Sequence, residues 1–170
     1  MVGRPYKTKI AVVGLGNVLM GDDGAGVAAL DSLQGKVDED VVLAEVGTAA
    51  LKAQALLEEV DHVVAIDAVQ AGGPPGSVYC FSLDDAEMNA CHSLHEMGIA
   101  GVLKLMPEES RPQVRVVGVE PESIEMRMEL SPTVQAALPM VAETVLATIN
   151  RIRNLPPTTG NACVAEETLQ

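Results

Sequence analysis

The stretch Lys9-Ile-Ala-Val-Val-Gly-Leu-Gly-Asn-Val-Leu-Met-Gly-Asp-Asp-Gly-Ala-Gly26 passes from a β-branched apolar run into a loop of glycines and acids. A short, wholly apolar run bounded by turn residues is the pattern of a strand covered on both faces, as in a parallel sheet beneath helices. Beyond the loop, Gly24 to Leu33 sets Val27, Leu30 and Leu33 at helical spacing. Further out, Val41-Val-Leu-Ala-Glu45 reads as a second strand and Ala49 to Leu57 as a second helix. Asp61-His-Val-Val-Ala-Ile-Asp67 reads as a third strand ending in an acid. This alternation predicts an α/β fold, a three-layer sandwich with a five-stranded, mostly parallel, twisted sheet and helices on both faces.

The next connection breaks the pattern. Residues 68–76, with the turn Gly72-Gly-Pro-Pro-Gly76, form too short a link for a parallel crossover, which takes a dozen or more residues. The strand Ser77 to Ser82 is therefore expected to run antiparallel, at an edge of the sheet. Asp84 to Leu105 reads as mostly helical and Gln113 to Val119 as the fifth strand. Ser131 is suited to cap the last helix and Pro132 to open it. Val134, Leu138, Val141, Val145, Ile149 and Ile152 then follow a 3.6-residue stripe, and Pro139 inside it is expected to kink the helix. From Leu155 the chain turns to Pro, Thr, Gly, Asn and Glu with no period. The expectation is one domain over residues 1–154 and a disordered tail over 155–170.

Composition bounds the partners. With 11 Lys+Arg against 24 Asp+Glu, the formal net charge is −13, which repels phosphate backbones and anionic membrane faces. Nucleic acid and membrane insertion are accordingly not expected. Aromatic residues make up 2% of the chain, so the core is expected to be aliphatic, with the eight methionines as core filler. Cys80, Cys91 and Cys163 are odd in number and far apart, which does not suit a disulfide framework. The apolar run Ile10 to Val13 is too short for a signal-peptide core or a membrane span, so a cytoplasmic location is expected.

In open α/β sheets ligands bind outside the carboxyl ends of the strands. The Asp22-Asp23 pair follows strand one and Asp67 closes strand three, with its carboxylate expected to emerge at the sheet's rim. Taken singly, each has an ordinary reading: Asp67 caps a turn, and the pair caps the first helix. Both falling at one edge of one sheet favours a site. The loop is no dinucleotide cradle, because a GxGxxG from Gly14 needs glycine where Leu19 stands, and no lysine is present for a GxxxxGK[ST] motif. His62 opens a buried strand and reads as structural. His92 and His95 lie three apart, and an imidazole beside two carboxylates makes an open divalent-ion site. Glu58-Glu59 and Glu108-Glu109 read as solvated. A nucleophilic pair at Cys91 and His92 is disfavoured, since adjacent residues rarely face each other.

Gly14-x-Gly-Asn-x-Leu-Met-Gly-Asp-Asp-Gly-Ala-Gly26 resembles the signature of the [NiFe]-hydrogenase maturation endopeptidases. Val46-Gly-Thr-Ala49, Ile66-Asp-Ala68 and His95-Glu-Met-Gly-Ile99 agree with it, as do Val117-Gly-Val-Glu-Pro-Glu122 and Leu130-Ser-Pro-Thr-Val134. The resemblance covers roughly residues 8–152. It implies that Asp23, Asp67 and His95 form the catalytic, nickel-sensing set, and the first of these is Glu in some members and Asp in others. It also implies an endopeptidase that removes a C-terminal extension from a hydrogenase large-subunit precursor once nickel is inserted. The nickel is then carried by the substrate, with zinc or cadmium as stand-ins in vitro, and the enzyme is expected to be a monomer.

Two other readings share these residues. A phosphoacceptor receiver domain also has acids after strands one and three, but it expects a lysine after strand five, where Glu120 and Pro121 follow Val119, and a parallel fourth strand. A nickel-carrying chaperone would use the same ligands without cutting, and would bind the ion tightly in isolation.

Overall fold

The computed structural model describes residues 9–83 and 96–155. Cys91, His92, His95, Cys163 and the chain beyond Leu155 lie outside the described residues. Five strands form one sheet: β1 (Ile10–Leu15), β2 (Val41–Gly47), β3 (His62–Ala68), β4 (Val78–Ser82) and β5 (Gln113–Val119), in the order β2-β1-β3-β5-β4. β1 pairs parallel with β2 and β3, and β3 pairs parallel with β5. β4 lies at the edge and runs antiparallel to β5, with Cys80 opposite Val117, as the short 68–76 link requires.

β1 and β3 are buried along their whole length, and the period of two sorts their side chains to two cores. On one face Ile10, Val12, Val64, Ile66, Val117 and Val119 pack with α1 (Ala25–Leu33) and α4 (Pro132–Arg153). On the other, Ala11, Val13, Leu15, Val63 and Ala65 pack with Leu57 of α2 (Gln54–Leu57) and with Ile99, Val102 and Leu103 of α3 (Glu96–Leu105). Burying each such aliphatic side chain is worth roughly 1.5–3 kcal/mol, and neither face could go uncovered. The result is a three-layer α/β sandwich.

The second helical segment is not one helix over Ala49 to Leu57. It is a 3-10 turn, Ala50–Ala53, leading into α2. α4 starts as expected, with the Ser131 hydroxyl oxygen accepting from the Val134 amide at 3.2 Å. It continues through Pro139, which is exposed, so water can serve the carbonyl left without a donor. At its far end Arg153 pairs with Asp38 and Asp40, fastening α4 to the link between α1 and β2.

The methionines depart from expectation. Met106 is buried, but Met126, Met128 and Met140 are exposed, so the core is built from Val, Leu, Ile and Ala with little methionine among the described residues. No described helix is long and apolar enough to cross a membrane.

Candidate active site at the ends of β1 and β3

From β1 the chain goes first to β2 on one side and then to β3 on the other, so β1 and β3 flank the point where the strand order reverses. The crevice outside the carboxyl ends of two such strands is where open α/β sheets bind ligands. The loop after β1 closes on this crevice, and its 3-10 turn, Gly21–Gly24, contacts β3.

Two glycines make that approach possible. A Cβ on Gly26 would lie 2.2 Å from the Ile66 carbonyl oxygen and 2.5 Å from that of Leu15, so the start of α1 sits directly on both strand ends. Gly16 has φ +111°, and a Cβ there would meet the Asp23 carbonyl oxygen. The spacing of glycines that fails as a nucleotide motif thus presses a helix start and an acid onto the sheet's rim.

The adjacent acids have different surroundings. Asp22 is fully buried, and its carboxylate accepts the amides of Glu122 at 2.9 Å, Ser123 at 3.0 Å and Ser131 at 2.6 Å. Burial pushes its pKa up, but the Ser131 and Ser123 amides, the Ser131 hydroxyl and the Glu122 amide outweigh it and hold the carboxyl below its ordinary range. Asp22 is a brace that ties the first loop to residues 122–131. Its side chain does not cap the first helix.

Asp23 is buried within its own loop and accepts the Asn17 amide at 2.9 Å, while the Asn17 side chain accepts from the Leu19 amide at 3.0 Å. Asp67 lies on β3, opposite Gly118 of β5, and accepts the Ala68 amide at 2.9 Å. Its expected emergence at the rim is not borne out, because Asp67 has no exposed surface. Asp67 is still inside the sheet's hydrogen-bonded register, so its side chain projects from a covered face of the sheet and not beyond the strand end. Asp23 thus stands in the 3-10 turn that contacts β3, and Asp67 one residue short of the end of β3; among the described residues no group of three or more His, Cys, Asp or Glu is placed to hold a metal ion.

Sequence reading assigned Glu120 no task of its own. It follows β5 at the same rim, is buried, and gathers the β3–β4 link around itself. Its carboxylate accepts the amides of Ala71 (2.9 Å), Gly72 (3.2 Å) and Gly73 (3.3 Å) and the Tyr79 hydroxyl (3.0 Å). Burial, then the bond to Glu120, raises the Tyr79 phenol above its ordinary pKa. The signal was available: an acid at the carboxyl end of a central strand, as with Asp67. His62 is buried at the start of β3 as expected, and burial depresses its pKa, with Asp61 opposing and Arg115 adding to the effect.

Buried carboxylates at the switch point of an α/β sheet mark a candidate site. A family model described as HycI, hydrogenase maturation protease, matches residues 27–148. The Hydrogenase 2 maturation protease of Escherichia coli K12 is 32% identical over 150 residues, covering 83% of this chain and 90% of that protein. The solved structure of the hydrogenase maturating endopeptidase HybD from E. coli superposes with a TM-score of 0.76 at 28% identity, covering 85% of this chain and 94% of that one. The [NiFe] hydrogenase maturation protease HybD from Thermococcus kodakarensis gives a TM-score of 0.72 at 29% identity, covering 83% and 99%. The chain belongs to the hydrogenase maturation protease family, and it is an endopeptidase.

Proposed function

We propose that this endopeptidase removes a C-terminal extension from a [NiFe]-hydrogenase large-subunit precursor, and that nickel already seated in the precursor is what it recognises. Asp23 and Asp67, with His95, supply the ligands that meet the ion. The observation that carries the reading is that the glycine loop closes on the sheet so that the turn holding Asp23 contacts β3, the strand that carries Asp67 next to its end. Two carboxylates and an imidazole leave coordination positions open, so they can complete the shell of an ion that arrives attached to another protein. A carboxylate within the sheet attracts a cation strongly because little water screens it.

Asp67 is closed off from solvent, so engagement involves a rearrangement that admits the substrate to it. Hydrolysis then has two sources of activation at one place: a carboxylate that can take a proton from water, and an ion that polarises the scissile carbonyl. The order of events forms a checkpoint, since a precursor without nickel lacks the bridging group and is spared. The test is to mix the protein with nickel-loaded and nickel-free precursor and to weigh the products by mass spectrometry. Shortening of the loaded form alone supports the proposal, and equal shortening of both removes nickel from it. Cytoplasmic location and a monomeric state fit the reading and are part of the proposal.

A further inference from the structure

Two of the exposed methionines, Met126 and Met128, lie in the segment that pairs with the loop holding Asp23. Val18 (43% exposed), Leu19 (54%), Ile124 (41%), Met126 (90%) and Met128 (73%) come from two segments only, the first loop and residues 122–130. These segments lie side by side. The Gly21 amide donates to the Arg127 carbonyl at 2.6 Å, the Arg127 amide donates to the Leu19 carbonyl at 3.1 Å, and Met20 and Arg127 form a parallel bridge. Asp22 braces the same two segments from inside. Arg127 donates through Nε to the Glu129 carbonyl and through Nη1 to the Glu125 carboxylate, while its Nη2 is buried without a hydrogen-bond partner. The exposed acids Glu122 and Glu129 stand beside the patch, outside that ion pair.

We infer that these five side chains form the docking surface for the substrate protein, receiving a segment that carries apolar side chains flanked by Lys or Arg. The inference rests on the reading of Asp23 and Asp67 as the active site. Val18 and Leu19 belong to the loop that holds Asp23, and Ile124, Met126 and Met128 to the segment hydrogen-bonded to that loop, so a chain crossing to that carboxylate passes over the patch. Exposed apolar clusters of this kind mark contact surfaces, and methionine is favoured there because its flexible thioether fits uneven partners. The neighbouring Glu122 and Glu129, on a chain of net charge −13, favour a basic flank over an acidic one.

The test is the double variant Met126→Ser/Met128→Ser in the full chain, with a nickel-loaded large-subunit precursor. Both side chains are exposed, so melting within about 2 °C of the parent is expected. In tail removal, KM is expected to rise at least tenfold with kcat within twofold. Calorimetry in an Asp67→Asn background, where cutting is suppressed, should show Kd weakened by the same factor. Glu129→Lys should weaken binding several-fold and flatten its salt dependence. An unchanged KM and Kd in a normally folded double variant overturns the proposal. So does a parent dimer that the same substitutions dissolve, which would make a second copy the occupant. A parent that binds the precursor through the methionines yet never cuts it removes the reading of Asp23 and Asp67, while the docking surface stands.

Discussion

Replacing Asp22 with Asn and, separately, Asp23 with Asn separates brace from active group in two adjacent residues. Asp22 accepts three backbone amides, from Glu122, Ser123 and Ser131, which lie in the distant 122–131 segment. Hydrogen bonds to an ionised acceptor contribute roughly 1.5–3 kcal/mol each, and a buried donor left unpaired costs about 1–3 kcal/mol. Asn keeps one acceptor oxygen but turns its NH2 towards at least one N–H, so Asp22→Asn should destabilise by about 2–4 kcal/mol. At roughly 2–4 °C per kcal/mol for a chain of this size, the melting temperature should fall by about 4–16 °C. Asp23→Asn retains an acceptor for the Asn17 amide and should lower melting by under about 3 °C, while abolishing tail removal. Scanning calorimetry and mass-resolved cleavage of nickel-loaded precursor read the two effects. An Asp22→Asn protein that melts like the parent yet fails to cut would refute the division of labour.

Gly26→Ala should lower both the melting temperature, read by scanning calorimetry, and turnover, read by cleavage of the precursor. Its Cβ meets two backbone oxygens at 2.2 and 2.5 Å, which forces α1 off the strands and displaces Asp23. A shift near 1 Å can lower turnover about a hundredfold, whereas Gly101→Ala in α3, with nothing within 4 Å, should stabilise by up to about 1 kcal/mol and leave kcat unchanged. Glu120→Gln should bring the Tyr79 phenol back towards 10, because the bond to Glu120 helps raise it; a spectrophotometric tyrosine titration unchanged from the parent would contradict this. His62 has a folded pKa below its ordinary 6.5, so the unfolded chain binds its proton first and the stability tied to neutral His62 is lost as pH falls through 6.5 and below. His62→Gln should therefore flatten the dependence of denaturation midpoint on pH between about 7.5 and 5.5, and equal slopes in both proteins would refute it.

Much of the fold was legible because it rests on local rules. The apolar run of β1 demanded cover on both faces, the 68–76 link was too short for a parallel crossover, and Ser131 with Pro132 marked a helix start that the structure keeps. The places of the acids in the fold were legible, since Asp23 follows β1 and Asp67 stands next to the end of β3. Their individual tasks were not. Asp22 and Asp23 are neighbours of the same type, and what separates them is a contact with residues about a hundred positions away. Glu120 was hidden for the same reason, its partners lying 41 to 49 positions earlier in the chain. Methionine exposure is likewise invisible to composition: Met126 and Met128 alternate with Arg127 in a segment whose place beside the first loop is set by backbone bonds to Leu19 and Gly21.

An anomalous difference map from a crystal grown with zinc, a stand-in for the substrate's nickel present before the lattice forms, puts the ligand assignment to its most direct measurement. The account predicts one strong peak about 2.0–2.2 Å from carboxylate oxygens of both Asp23 and Asp67 and about 2.0–2.1 Å from a ring nitrogen of His95. A peak bound by other residues, or the two carboxylates and the imidazole lying too far apart to share one ion, would contradict it.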